Sequence, residues 1–321
     1  MSKELRKWAP WLMGGVILSL LPLVLQQYTI HILILVGIYI ILAFGLSLVS
    51  GFAGQLSLGQ AAFYAVGAYV SALLAVRLGL PFWIAALGAT VVSSAMGVVL
   101  GLPTLRLSGI YLTVATVGFA EIVRLVLLNW TPVTMGPMGI REIPCPTIAG
   151  FSLNTPFRYY YLVLVAAIAS FFVASRIVNS RVGRAFISVA DKEVAAQAIG
   201  INPTYYKTLA FVLSAAFAGF AGSLYAHYIA YLHPDAFTQA ESIMAVTIIA
   251  VGGVRSLSGI VVAGTVLVAA MEYLRAFSEF RLIMYALLLI ISLIFMPDGI
   301  GGIARQLAAA SRKSRKLAVG K

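Results

Sequence analysis

Charge is scarce in this chain. Of its 321 residues only 10% are Asp, Glu, Lys or Arg, against about 25% in ordinary soluble domains. Hydrophobic residues make up 61% and the mean hydropathy is +1.00, so a water-soluble fold could not cover its apolar area. Cysteine is nearly missing as well. The single Cys145 excludes an intrachain disulfide framework and any multi-cysteine metal site. No G-x-x-x-x-G-K-[ST] phosphate loop occurs, and the one Gly-Lys pair is Gly320–Lys321, so this chain does not hydrolyse ATP by that route. The polar loops hold no clustered nucleophile, acid pair or metal set, which argues against an enzyme. Acidic residues number 10 against 22 basic ones, for a net charge of +12. The basic residues are scattered between apolar runs and form no stripe interleaved with aromatics, which argues against nucleic acid as a partner.

What is present is a series of apolar runs near the roughly 20 residues needed to cross a bilayer. A helix satisfies its own amides in hydrocarbon, and the short alternating segments of a β-barrel are not seen. The fold class is therefore an all-α, polytopic transmembrane bundle of about ten helices, forming one transmembrane domain over residues 1–321. Hydropathy places them near Trp11–Gln26, His31–Val49, Ser57–Leu78, Phe82–Leu100, Gly109–Leu128, Tyr159–Val178, Leu209–Tyr231, Ser242–Val251, Ile260–Leu274 and Leu282–Met296. The eighth is too short for a straight span unless it begins in the polar stretch before it. The basic start MSKELRKW resembles a signal-peptide n-region, but no small-x-small cleavage site follows, so a retained first helix is expected. Because five is odd, two groups of five helices would be inverted repeats.

Basic loops stay in the cytoplasm. With both termini inside, 16 of the 22 lysines and arginines lie on the inner side, including the basic tail 304–321. Five lie outside and Arg124 lies within the membrane. Merging the eighth and ninth helices would push the basic tail outside. Two long loops remain. Residues 129–157, rich in Gly, Pro and Thr, are expected to cap the outer face, and residues 179–206 lie inside.

In the inner loop, Val182, Phe186, Val189 and Ala196 recur at helical spacings, with Asp191, Lys192 and Glu193 as a polar turn between them. That pattern is an amphipathic helix, stopped by Gly200 and kept from continuing by Pro203. The plain alternative is a surface helix lying in the headgroup layer. Elsewhere, Gln55, Ser57 and Gln60 put uncharged polar groups at membrane depth within the glycine-dense segment Gly51–Tyr69, where they either line a wet cavity or cap and pack a helix. Glu121 and Arg124, three apart, share a helix face and can pair. His227, His233, Asp235 and Glu241 gather near one helix end, where rim exposure explains them more simply than metal binding.

Four segments carry a family resemblance. The run Glu193, Ala195, Ala196, Gly200, with Asp191 just before it, resembles the EAA loop of bacterial ABC importer permeases, with EVAA in place of EAA. The segment GFAGQLSLGQAAFYAVGAY from Gly51 resembles the signature of LivM-type permeases, the branched-chain amino acid branch. VTMGPMGIREIP from Val133 resembles their TGG-type external loop, with Met135 where glycine is usual. VGGVRSLSG from Val251 resembles their glycine-rich break. The matches extend over some two-thirds of the chain.

The resemblance implies a permease of the bacterial cytoplasmic (inner) membrane, working with two ATP-binding subunits, a second LivH-like permease subunit and a periplasmic or surface substrate-binding protein. It also implies that Asp191, Glu193, Ala195, Ala196 and Gly200 dock on an ATPase. This chain would bind no cofactor itself, ATP and Mg residing on the ATPase subunits. Gln55, Ser57, Gln60 and Glu121 are the candidates for a translocation pathway. Importers of urea or amides have similar permeases. An ion-coupled secondary transporter is the rival class, though Glu121 alone would serve its chemistry.

Overall fold

The computed structural model describes Pro22 and residues 25–104, 107, 109–148 and 151–274. The expected helices Trp11–Gln26 and Leu282–Met296, the basic tail and Arg106 lie outside the described residues. Among those described there are eleven α-helices. They are α1 (Gln27–Leu46), α2 (Gln60–Leu78), α3 (Phe82–Thr104), α4 (Ile110–Asn129), α5 (Thr131–Thr134), α6 (Pro156–Val178), α7 (Arg181–Asp191), α8 (Glu193–Ala198), α9 (Pro203–Ile229), α10 (Gln239–Gly252) and α11 (Leu257–Tyr273). Among the described residues six segments are long and apolar enough to cross a membrane: Gln27–Phe52, Gln60–Leu78, Phe82–Leu102, Ile110–Asn129, Pro156–Val178 and Pro203–Ile229. The chain is thus an all-α polytopic bundle. Its only sheet among the described residues is a two-residue antiparallel pair, β1 (Thr147–Ile148) with β2 (Phe151–Ser152).

Helix α9 is the hub, packing on α1, α2 and α3, while α1 also carries α6 and α11. Close approach is possible because small residues line the seams, as expected where no solvent drives helices together. A methyl group at Gly67 of α2 would land on the backbone of Gly219, and one at Gly222 on the carbonyl of Tyr64. The α3–α9 seam repeats the device, with Gly97 against the Phe211 carbonyl.

Several boundaries differ from the hydropathy reading. Helix α9 begins at Pro203, ahead of the expected Leu209, since proline suits the first helical turn and the Asn202 side chain accepts from the Tyr205 amide at 3.3 Å. Residue Gln26 precedes α1, which then runs on through a π-helical turn, Ser47–Phe52. Helix α10 has only 14 residues. The rest of that passage is a re-entrant crossover in which Leu232, Pro234 and Phe237 are buried. Phe237 sits among the rings of Tyr64, Tyr69 and Tyr225.

The bundle has two ends. Arg176, Arg181, Arg184, Lys192, Lys207 and Arg255 belong to one, with the α7–α8 elbow. At the other, Arg77 donates to the carbonyls of Pro132 and Val133 at 2.6 and 2.8 Å, and Ile140 bridges Leu232. Here the loop after α4 folds over the bundle as a lid-like cap. Under it His227 is buried instead of rim-exposed: Nδ1–H donates to the Pro144 carbonyl at 2.7 Å, and Nε2 meets the Ser71 hydroxyl at 3.0 Å. Glu241 also leaves the rim, because the re-entrant crossover carries it inward, where the Tyr39 hydroxyl donates to it.

Candidate functional site

The α7–α8 elbow is built from local signals. Ser180 caps α7 by accepting from the amides of Val182 and Gly183 at 3.1 and 3.4 Å. Phe186, Val189 and Ala196 are buried and Val182 partly so, which is the apolar stripe read from the spacing. Lys192 is extended, φ −153° and ψ 99°, and separates the two helices. Past α8, the Ile201 amide bonds the Ala196 carbonyl and the Gly200 amide the Gln197 carbonyl, both at 3.0 Å. Gly200 takes φ +84°, the left-handed stop that favours glycine. The apolar tip points away from the bundle: Val194 is 80% and Ile199 74% exposed, and Ala195 is exposed between them.

The base of the elbow is fastened. Glu193 accepts from the Lys207 ammonium of α9 at 2.7 Å, and that lysine is almost fully covered. Asp191 accepts from Arg255 at 3.0 Å. The same guanidinium donates through Nε to the Gly51 carbonyl at 3.0 Å, and Gly54 abuts Ala190. One arginine thus joins the elbow, the break after α1 and the α10–α11 junction.

Both breaks turn back deep in the bundle and meet. The Ala61 amide donates to the Ser242 hydroxyl at 2.9 Å, and Gln239 donates to the Leu58 carbonyl at 3.1 Å. Helices α2 and α10 therefore start side by side, each supplying a polar group to the other's first turn, where backbone amides lack intrahelical partners.

A family model for the permease component of branched-chain amino acid transport systems matches residues 28–294. The chain belongs to that family. The permease is 38% identical over 302 residues to the high-affinity branched-chain amino acid transport system permease protein LivM of Salmonella typhimurium, and equally to LivM of Escherichia coli. Those alignments cover 87% of this chain and 71% of each relative. LivH of Salmonella typhimurium, named a permease protein of the same kind of system, is 26% identical over 288 residues, covering 82% of this chain and 91% of LivH. No solved structure matches.

The remaining site candidates of the permease divide between packing and exposure. Gln60 is fully buried. Its amide donates to the carbonyls of Leu42 and Ser214 at 3.2 and 3.5 Å and accepts from the Ser214 hydroxyl at 3.1 Å, tying α1, α2 and α9 together. Ser57 is buried at the break, and its hydroxyl accepts from the Gly59 amide at 3.3 Å. Gln55 is half-buried and bonds the Ala53 carbonyl. Glu121 does pair with Arg124, at 2.6 Å. A third member escaped the sequence reading: Arg124 also binds Asp235 of the crossover at 2.7 Å. No periodicity connects residues 111 apart, and the same holds for Lys207, Arg255 and the Tyr39–Glu241 pair.

Proposed function

We propose that this permease is the membrane-spanning subunit of an ATP-driven ABC importer for branched-chain or related aliphatic amino acids, with the α7–α8 elbow as the cytoplasmic docking knob for an ATPase. Two ATP-binding subunits carry ATP and Mg, a second LivH-like permease subunit completes the pathway, and a periplasmic or surface binding protein delivers the solute. LivM and LivH relatives are both named as permease proteins of a high-affinity branched-chain amino acid transport system, which supports a paired membrane unit. The excess of basic residues at the elbow end supports a cytoplasmic placement of that end and of both termini.

The observation that carries the reading is the elbow's double character: an exposed apolar tip of Val194, Ala195 and Ile199 over a base ionically held to α9 and to the α10–α11 junction. A surface helix resting in headgroups needs no such fastening to α9, to Gly51 and to the α10–α11 junction. In the proposed cycle ATPase closure pushes the elbow, and Arg255 and Lys207 pass the displacement to the breaks at Gly51–Gly59 and Ala230–Thr238. In this reading the chain works as two inverted halves whose rocking opens the path on alternate sides. Gln60 and Ser57 hold the shape of the break, while Gln55 and Glu121 face the path.

The test is ATP-driven leucine uptake by the complete complex in proteoliposomes, with hydrolysis measured in parallel. The Glu193→Gln, Gly200→Ala double variant is expected to insert and assemble normally while uptake falls and hydrolysis continues. Uptake at the parental rate would overturn the docking role. Isoleucine and valine should compete with leucine, and competition by urea but not by these would reassign the solute.

A further inference from the structure

The Glu121–Arg124–Asp235 triad sits where lipid should be. Glu121 lies eight residues from Asn129, the last residue of α4, which is about 12 Å along the helix. The hydrocarbon core is about 30 Å thick, so the carboxylate is well below the interface. Its side chain is nevertheless 50% exposed, and that of Asp235 57%. The same α4 face exposes Val114, Gly118, Ile122, Leu125 and Val126. A charged group exposed at this depth is costly in hydrocarbon, and such groups face water-filled cavities or other protein. Snorkelling does not resolve the matter, because a glutamate or aspartate stem is too short to cover that distance.

The charge count sharpens the point. Arg124 donates through Nε and Nη2 to Glu121 and through Nη1 to Asp235. One guanidinium thus serves two carboxylates, and His233, whose Nδ1 lies 3.6 Å from Asp235, is a cation only when protonated. The triad keeps an excess negative charge at an exposed surface inside the membrane span. Packing against lipid gives that charge no compensation. An aqueous passage carrying solutes that bear an ammonium group does.

We propose that the exposed α4 face from Val114 to Val126 lines a water-filled passage, and that the excess carboxylate of the triad meets the ammonium group of the amino acid in transit. The inference rests on the importer reading above and adds to it the chain's path-lining surface and the end of the solute that it recognises.

The lone Cys145 makes the test direct. In a Cys145→Ser background, Val114→Cys, Gly118→Cys and Ile122→Cys are introduced on α4, and Val91→Cys and Val165→Cys at similar depth on α3 and α6. Gly118 tolerates the change, since nothing lies within 4 Å of its Cβ position. The assembled complex in proteoliposomes is treated with a membrane-impermeant cationic thiosulfonate. The α4 positions should react at least about tenfold faster than the controls, because the reactive thiolate forms only where water reaches, and saturating leucine with its binding protein should slow them. At Ile122→Cys a cationic reagent should outpace an anionic one, and Glu121→Gln should shrink that preference several-fold. Inert α4 positions, equal labelling of α3 and α6, no effect of leucine, or a charge preference unchanged by Glu121→Gln would each overturn the proposal. Leucine uptake by the Cys145→Ser parent is measured in the same vesicles: its absence defeats the importer reading as well, whereas its presence with inert α4 defeats this inference alone.

Discussion

At the scale of single residues, glycines and buried polar groups carry most of the specificity. Gly67 meets Gly219 backbone to backbone, so Gly67→Leu should force α2 and α9 apart at a cost of about 1–3 kcal/mol or more, read as a lowered Tm and loss of monodisperse protein in detergent. Gly200 is different, because nothing crowds its Cβ position. Its left-handed φ alone penalises Gly200→Ala, by about 1–2 kcal/mol, confined to the elbow and visible as faster amide exchange in α8 with little change in global Tm. His227→Leu would strand the Pro144 carbonyl under the cap, while the Ser71 hydroxyl would keep Ser223 as its partner. Leaving such a group unsatisfied costs about 1–3 kcal/mol, and proteolysis of residues 129–148 should report the loosened cap.

Among elements, the two breaks and the elbow are joined by hydrogen bonds and an ion pair. Arg255 bonds both Asp191 of the elbow and the Gly51 carbonyl, so Arg255→Gln should lower leucine uptake several-fold while ATP hydrolysis persists. Exchanging the charges, Asp191→Arg with Arg255→Asp, should restore part of the coupling if the ion pair itself matters. A double exchange no better than Arg255→Gln would limit the residue to its bond with the Gly51 carbonyl. Elements of this kind were unevenly legible in the sequence. Repeating apolar runs located α1 to α4 and α6 to within a few residues, and α9 from Leu209 onward but not its first turns from Pro203. The spacing of Val182, Phe186 and Val189 showed the buried side of α7. The glycine-dense run after Ser50 marked the first break. The second was hidden, because residues 232–241 read only as the polar stretch between the seventh and eighth helices, and only the tertiary fold turns Leu232 and Phe237 inward. Paired groups followed the same rule: Glu121 and Arg124 were visible at three-residue spacing, whereas Asp235 and Tyr39 meet their partners only through the packing of distant helices.

For the molecule as a whole, the distribution of basic residues predicts sidedness. A cysteine placed at Lys192 should react with an impermeant reagent only from the cytoplasmic side, and one at Arg158 only from outside, in a Cys145→Ser background; the reverse pattern would invert the topology. Helix α9 gives that sidedness a mechanical meaning. It runs unbroken from Pro203, just beyond Gly200, to Ile229, beside the residues bridged to the cap. Its 27 residues amount to a rod of about 40 Å, clamped at its middle by the glycine seams. A rod pivoting on a central clamp swings its two ends in opposite directions, so a stroke delivered to one face of the membrane would tug the far vestibule the other way without any relay of side chains.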